Sequence, residues 1–157
     1  MNIRWAIPNG VTEDFIRSCE ATLRNVHRGT KGATEQACRE VLEASLAQVP
    51  RDTNTLASTA FYDVQRRGDV KGYLYEGTVG YAGAGGSGAG RDAVNPKNGR
   101  AASVYALKVH EDTTAFHPGG GKAKFLEDPL REYAKENFTR VAETYWYYAI
   151  NGSATQY

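Results

Sequence analysis

The sequence predicts an α+β domain: a long N-terminal helix and a C-terminal helix packed on a small antiparallel β-sheet, with a long Gly-rich loop between them. Three observations carry that prediction. The residues Phe15, Cys19, Leu23, Val26, Thr30, Ala33, Ala37 and Val41 hold one helical phase. Tyr73, Tyr75, Val79 and Tyr81 share one parity, as a half-buried strand requires. Leu130, Tyr133, Ala134, Phe138, Val141, Ala142 and Tyr145 draw a second helical stripe. A chain of 157 residues forms a single domain, 1–157, and buries roughly 70% of the surface its unfolded form exposes.

Residues 1–11 read as an N-terminal arm, with an extended stretch around Ile3 to Ile7 closed by the turn signal Pro8-Asn9-Gly10. The first helix opens next. Thr12 suits its N-cap, Glu13 and Asp14 suit the positive end of its dipole, and Val11 with Ile16 has the spacing of a hydrophobic staple. Gly29 and Gly32 each cost about 1 kcal/mol relative to alanine. The stripe nevertheless keeps phase across them, so one helix from 12 to about 49 is expected, with two helices as the alternative. Pro50 ends it, because the residue before a proline is pushed out of helical geometry. Residues 55–66 and 70–81 then form an antiparallel hairpin around Gly68. The Arg67-Gly68-Asp69 in its turn matches an adhesion tripeptide, but Gly-Asp is ordinary turn chemistry. Residues 82–103, rich in Gly and Ala without an apolar period, read as a flexible loop.

The remainder is organised around Val104 to Tyr133. An apolar element, read as extended, ends in His110-Glu111; a polar, Gly-rich turn follows; and Phe125-Leu126 leads into the last helix. Asp128 suits the N-cap of that helix and Pro129 its first position, where no N–H is needed. Asn151-Gly152 stops the helix and leaves 151–157 as a tail.

Composition narrows function. Nineteen basic residues against 18 acidic argue against a protein whose main work is gripping a phosphate backbone or an anionic membrane. No apolar run approaches the ~20 residues that span a bilayer, and the N-terminus lacks a signal-peptide core, so a soluble protein made in a cytoplasm is expected. Cys19 and Cys38 lie roughly 28 Å apart on one helix, too far for a disulfide, and read as small buried apolar residues.

Several motifs tempt. Gly83-x-Gly85-x-x-Gly88 matches a dinucleotide fingerprint, yet no helix follows to hold a pyrophosphate. Gly119-Gly120-Gly121-Lys122 lacks both the first glycine of a phosphate loop and the hydroxyl after the lysine. His110, Glu111 and His117 could hold zinc as a small metal-dependent hydrolase; the alternative is that His110 or Glu111 fixes the turn by hydrogen bonds. His27 is expected on the helix surface. Lys97, Arg100, Lys108, Lys122 and Lys124 could touch a DNA backbone without reading sequence. No nucleophile and base set stands out, so no enzyme, cofactor or metal is expected. Tyr145, Trp146, Tyr147 and Tyr148 surround a helix end, which no single stripe can bury, and suit either a subunit interface or core packing.

Three blocks resemble the minor structural proteins at the neck of tailed bacteriophages, the minor capsid, tail-component or head-tail joining family. The first is Val49-Pro50-Arg51-Asp52-Thr53-Asn54-Thr55-Leu56, in which Pro50, Asp52, Thr53 and Leu56 match and Asn54 stands where the family usually has Gly. The second is Tyr105-Ala106-Leu107-Lys108-Val109-His110-Glu111-Asp112-Thr113, matching at Tyr105, Ala106, Val109, His110, Glu111 and Thr113. The third is Phe125-Leu126-Glu127-Asp128-Pro129-Leu130, matching at Phe125, Leu126 and Leu130. The resemblance implies a non-enzymatic virion subunit at the head-tail junction. It would form a six-fold or twelve-fold homo-oligomer ring that meets portal, adaptor, neck or tail proteins and lets genome DNA pass. A tail completion protein at the top of the tail is the alternative within that class.

Overall fold

The computed structural model describes residues 10–67, 74–83, 92–117 and 119–151. The expected strand at Ile3 to Ile7, the tip of the hairpin, most of the Gly-x-Gly-x-x-Gly match and the tail after Asn151 lie outside them. Helix α1 runs Val11–Leu46, a short 3-10 turn spans Ala57–Thr59, and β1 (Phe61–Arg67) pairs antiparallel with β2 (Leu74–Gly80). Helices α2 (Ala102–Glu111), α3 (Glu127–Glu136) and α4 (Phe138–Asn151) follow. The fold is α+β, with the long helix as its spine.

The spine stays whole across its glycines because they are contact points. A Cβ on Gly29 would lie 2.8 Å from the Cβ of Ala149, and one on Gly32 would lie 2.5 Å from the ring of Tyr145. Two helices approach this closely only where one lacks side chains. Beside that contact Ala33, Ala37 and Val41 meet Tyr133, Val141 and Tyr145, so α4 runs antiparallel to α1 along its stretch from Gly29 to Val41. An adjoining side of α1 takes the hairpin: a Cβ on Gly77 would lie 2.3 Å from the Cys38 sulfur. Residue 61 pairs with 80 and 67 with 74, and Tyr75 hydroxyl meets the ring of His27 at 2.9 Å. His27 is therefore half-buried against the sheet rather than a free surface group.

Several local expectations need correcting. The N-cap of α1 is Gly10, at φ +102°, and not Thr12, which lies inside the helix. Residues 102–111 are helical and not extended: Tyr105, Ala106 and Val109 pack inward at helical spacing while Val104 and Leu107 face out. Leu126, not Asp128, is the N-cap position of α3; the Asp128 carboxylate accepts instead from Lys122 at 2.6 Å, and Pro129 is the third helical residue rather than the first. The last helix is two. Asn137, with φ −113°, separates α3 from α4 and accepts from Arg140 through its side chain. Tyr133 and Val141 are buried while Leu130 is 52% exposed. Of the two cysteines, Cys38 is buried and Cys19 is exposed.

The expected flexible loop is ordered over its described C-terminal part. Val94 bridges Ala101, and Asp92 accepts from the backbone N–H of Ser103 at 3.0 Å. A carboxylate ten residues upstream thus caps α2, whose own N-cap, Ala101, has no side-chain oxygen to offer. The Ser103 hydroxyl is the first cause that holds the Asp92 carboxyl below its ordinary range. Among the described residues no helix is long and apolar enough to cross a membrane.

Candidate functional site

The three sequence blocks converge on one side of the fold, where the end of α1, the 3-10 turn, α2 and the start of α3 meet. Val49, Leu56, Tyr81, Ala82, Ala102 and Phe125 form the buried cluster, with Tyr105, Ala106, Val109 and Leu126 packed against it. Phe125 is the hub. Its ring takes the Tyr81 ring edge-on at 5.2 Å and the His110 ring at 5.0 Å. The Tyr81 hydroxyl, whose pKa burial raises, shares a 2.8 Å hydrogen bond with the buried Ser45.

The first block wraps this hub as a turn. Asn54 adopts φ +58°, the left-handed region that asparagine tolerates better than most residues, so the departure from glycine leaves the turn intact. Thr53 and Thr55 hydroxyls meet at 2.7 Å, Asp52 pairs with Lys97 at 2.5 Å, and Pro50 is buried. The glycines rejected as a phosphate loop have a packing role here. Cβ atoms on Gly119 and Gly121 would each come within 2.6 Å of backbone atoms, of Arg51 and Pro50 respectively. The Lys122 N–H donates to the Gln48 carbonyl at 2.9 Å, so this loop lies directly on the turn after α1.

His110 and Glu111 end α2 and lock the third block to it. The Glu127 N–H donates to Nε2 of His110 at 3.4 Å, which leaves Nδ1 to donate to Glu111 at 2.8 Å. Both ring nitrogens are thereby used. Lys124 bridges Glu111 and Glu127, and Arg131 reaches Glu127 at 2.6 Å. Hydrogen bonds from Lys124 are the first cause holding the carboxyls of Glu111 and Glu127 below their ordinary range, and the Glu111 hydrogen bond leads in raising Lys124. Thr113 lies in an exposed turn, tied down through its neighbours by Asp112, whose carboxylate accepts from Thr114 at 3.1 and 2.7 Å.

A cleft of about 310 Å³ opens between the first block and α2, bounded by Thr53, Thr55, Asn95, Tyr105, Phe116 and His117. His117 therefore faces the first block, while His110 is committed to α3. Among the described residues no three His, Cys, Asp or Glu side chains form a metal-binding group, so the His110, Glu111, His117 set does not come together as ligands.

No family model, curated protein or solved structure matches the chain.

The aromatic helix end divides. Tyr145 packs on Gly32 and Tyr148 is half-buried, whereas Trp146 is 52% and Tyr147 64% exposed, with Ile150 beside them. Sequence reasoning missed a larger surface. Residues 11–24 of α1 are exposed throughout, and Phe15 and Leu23, expected in the core, stand 68% and 62% open. A signal for this was present: α4 is 14 residues long and α1 is 36. At 1.5 Å per residue, about 21 Å of helix cannot cover about 54 Å.

Proposed function

We propose that this protein is a non-enzymatic structural subunit of the neck of a tailed bacteriophage, assembling as a homo-oligomer ring between the portal side of the head and the tail. The observation that carries the assembly role is the uncovered apolar surface of the single chain: Phe15, Ile16 and Leu23 along the α1 arm, and Trp146, Tyr147 and Ile150 at the end of α4. Exposed apolar side chains grouped along a helix in this way mark a site of contact with other chains. The neck assignment rests on the three blocks, whose residues build the hub around Phe125 and its surrounding turns; Asp52, Glu111, Thr113 and Leu130 are the exposed members. A rigid hub holding exposed aromatic contacts suits a ring subunit, and the near-neutral charge suits a channel through which DNA slides.

Immunogold electron microscopy of purified phage particles tests the reading. Gold at the head-tail junction is the expected result, and labelling of free tails but not of tailless heads would move the subunit to the tail terminus. Particles free of gold, with the protein absent by mass spectrometry, would overturn a virion role.

A further inference from the structure

The α1 arm carries its own docking geometry. Phe15, Cys19 and Leu23 lie 18 residues before Ala33, Ala37 and Val41, or about five full turns at 3.6 residues per turn. They therefore point in the same direction as the residues that meet α3, α4 and the hairpin. The seam that holds the domain together continues along the arm after α4 has ended at Asn151. A helix lying there, antiparallel to α1, would extend the line of α4.

The charges say which helix fits. Residues 11–20 of the arm carry Glu13, Asp14 and Glu20 against Arg17, whereas residues 21–31 carry Arg24, Arg28 and Lys31 and no acid. The tip is acidic and the root is basic. At the root an open groove of about 460 Å³ lies between α1 and β1, lined by Leu23, Arg24, His27, Arg28 and Arg66 together with Glu20. The exposed pairs within the arm, Asp14 with Arg17 at 3.9 Å and Glu20 with Arg24 at 3.8 Å, are long and weak enough to rearrange.

We propose that two copies of this chain pair through antiparallel α1 arms, the acidic tip of each arm seating in the arginine-lined groove at the root of the other. Each arm covers the apolar stripe of its partner, and the contact is isologous, as a two-fold axis across the arms requires. A parallel pair would set acid against acid and base against base. This contact uses the α1 part of the apolar surface named under the proposed function, but it follows from the stripe and charges of the arm and stands whether or not the subunit belongs to a phage neck.

Sedimentation equilibrium of the full chain over a wide concentration series tests it. Wild-type protein shifts from monomer to dimer mass as concentration rises, and Leu23→Glu, at an exposed position, stays monomeric with an unchanged far-UV circular dichroism spectrum. Reversing the tip (Glu13→Lys with Asp14→Lys) or the root (Arg24→Glu with Arg28→Glu) weakens the dimer at least several-fold, and combining the four changes restores it. A monomer at every concentration overturns the proposal and assigns the stripe to a different partner. A dimer indifferent to Leu23→Glu, or a four-fold variant no better than its parents, overturns it equally.

Discussion

Replacing Gly29 with alanine sets two physical effects of opposite sign against each other. In an exposed helix the change stabilises by about 1 kcal/mol, because alanine loses less backbone entropy on folding. At Gly29 the new Cβ would lie 2.8 Å from the Cβ of Ala149 and 3.0 Å from the backbone oxygen of Tyr145. Neither atom can swing aside on a flexible side chain, so α4 has to move away from the spine. Overpacking of this kind costs about 1–3 kcal/mol. The balance is a net loss of about 1 kcal/mol, which lowers Tm by about 3 °C in a domain of this size. Thermal unfolding followed by circular dichroism reads it directly. Adding Ala149→Gly removes the nearer clash and recovers part of the loss. A Gly29→Ala protein that melts higher than wild type would refute the close-approach account of the spine.

Ser45→Ala leaves the buried Tyr81 hydroxyl without the partner it has at 2.8 Å; a loss of about 1–3 kcal/mol is expected from denaturant unfolding, with an unchanged m-value. The Glu111 carboxyl is held low first by its hydrogen bond from Lys124. Its contribution to stability is complete above the ordinary carboxylate pKa and disappears as pH falls through the lowered folded value. An NMR titration of Glu111 shows the depression, and Lys124→Met returns the titration toward the ordinary range. Burial is the first cause that raises the Cys38 thiol, while Cys19 is exposed. A thiol reagent should therefore label one cysteine rapidly in native protein and the second only on unfolding. Two fast thiols would place Cys38 outside the core.

Elements with strong local signals were legible in the sequence, and elements fixed by distant contacts were not. The phase from Phe15 to Val41 marked α1 as one helix, and the parity around Tyr75 and Val79 marked the hairpin. Asn54 was readable because its left-handed backbone is a local property. Residues 102–111 were misread because Val104, Tyr105 and Val109 favour strands individually, while the period of Tyr105, Ala106 and Val109 is helical. The oxygen that caps α2 belongs to Asp92, far outside a capping window. Leu130 and Cys19 were assigned to the core from their stripes alone. Cys19 is exposed because α4 stops at Asn151 short of that part of α1, and Leu130 faces out of α3 although Tyr133 three residues on is buried. Within the candidate site, Leu56, Tyr105, Ala106, Val109 and Leu126 from the three blocks surround Phe125. That Phe125 joins them, and that Gly119 and Gly121 press on the first block, required the tertiary arrangement.

Gly29 and Ala149 meet across 120 positions of chain, so α1 leaves the ribosome well before the helix it packs on. Until α4 emerges, the face of α1 that meets it, from Gly29 to Val41, stays bare. Closing so long a loop is entropically slow. A translating polysome thus holds many nascent copies of one sticky helix close together. Whatever covers that helix during synthesis, a chaperone or a neighbouring nascent chain, acts before the domain can fold.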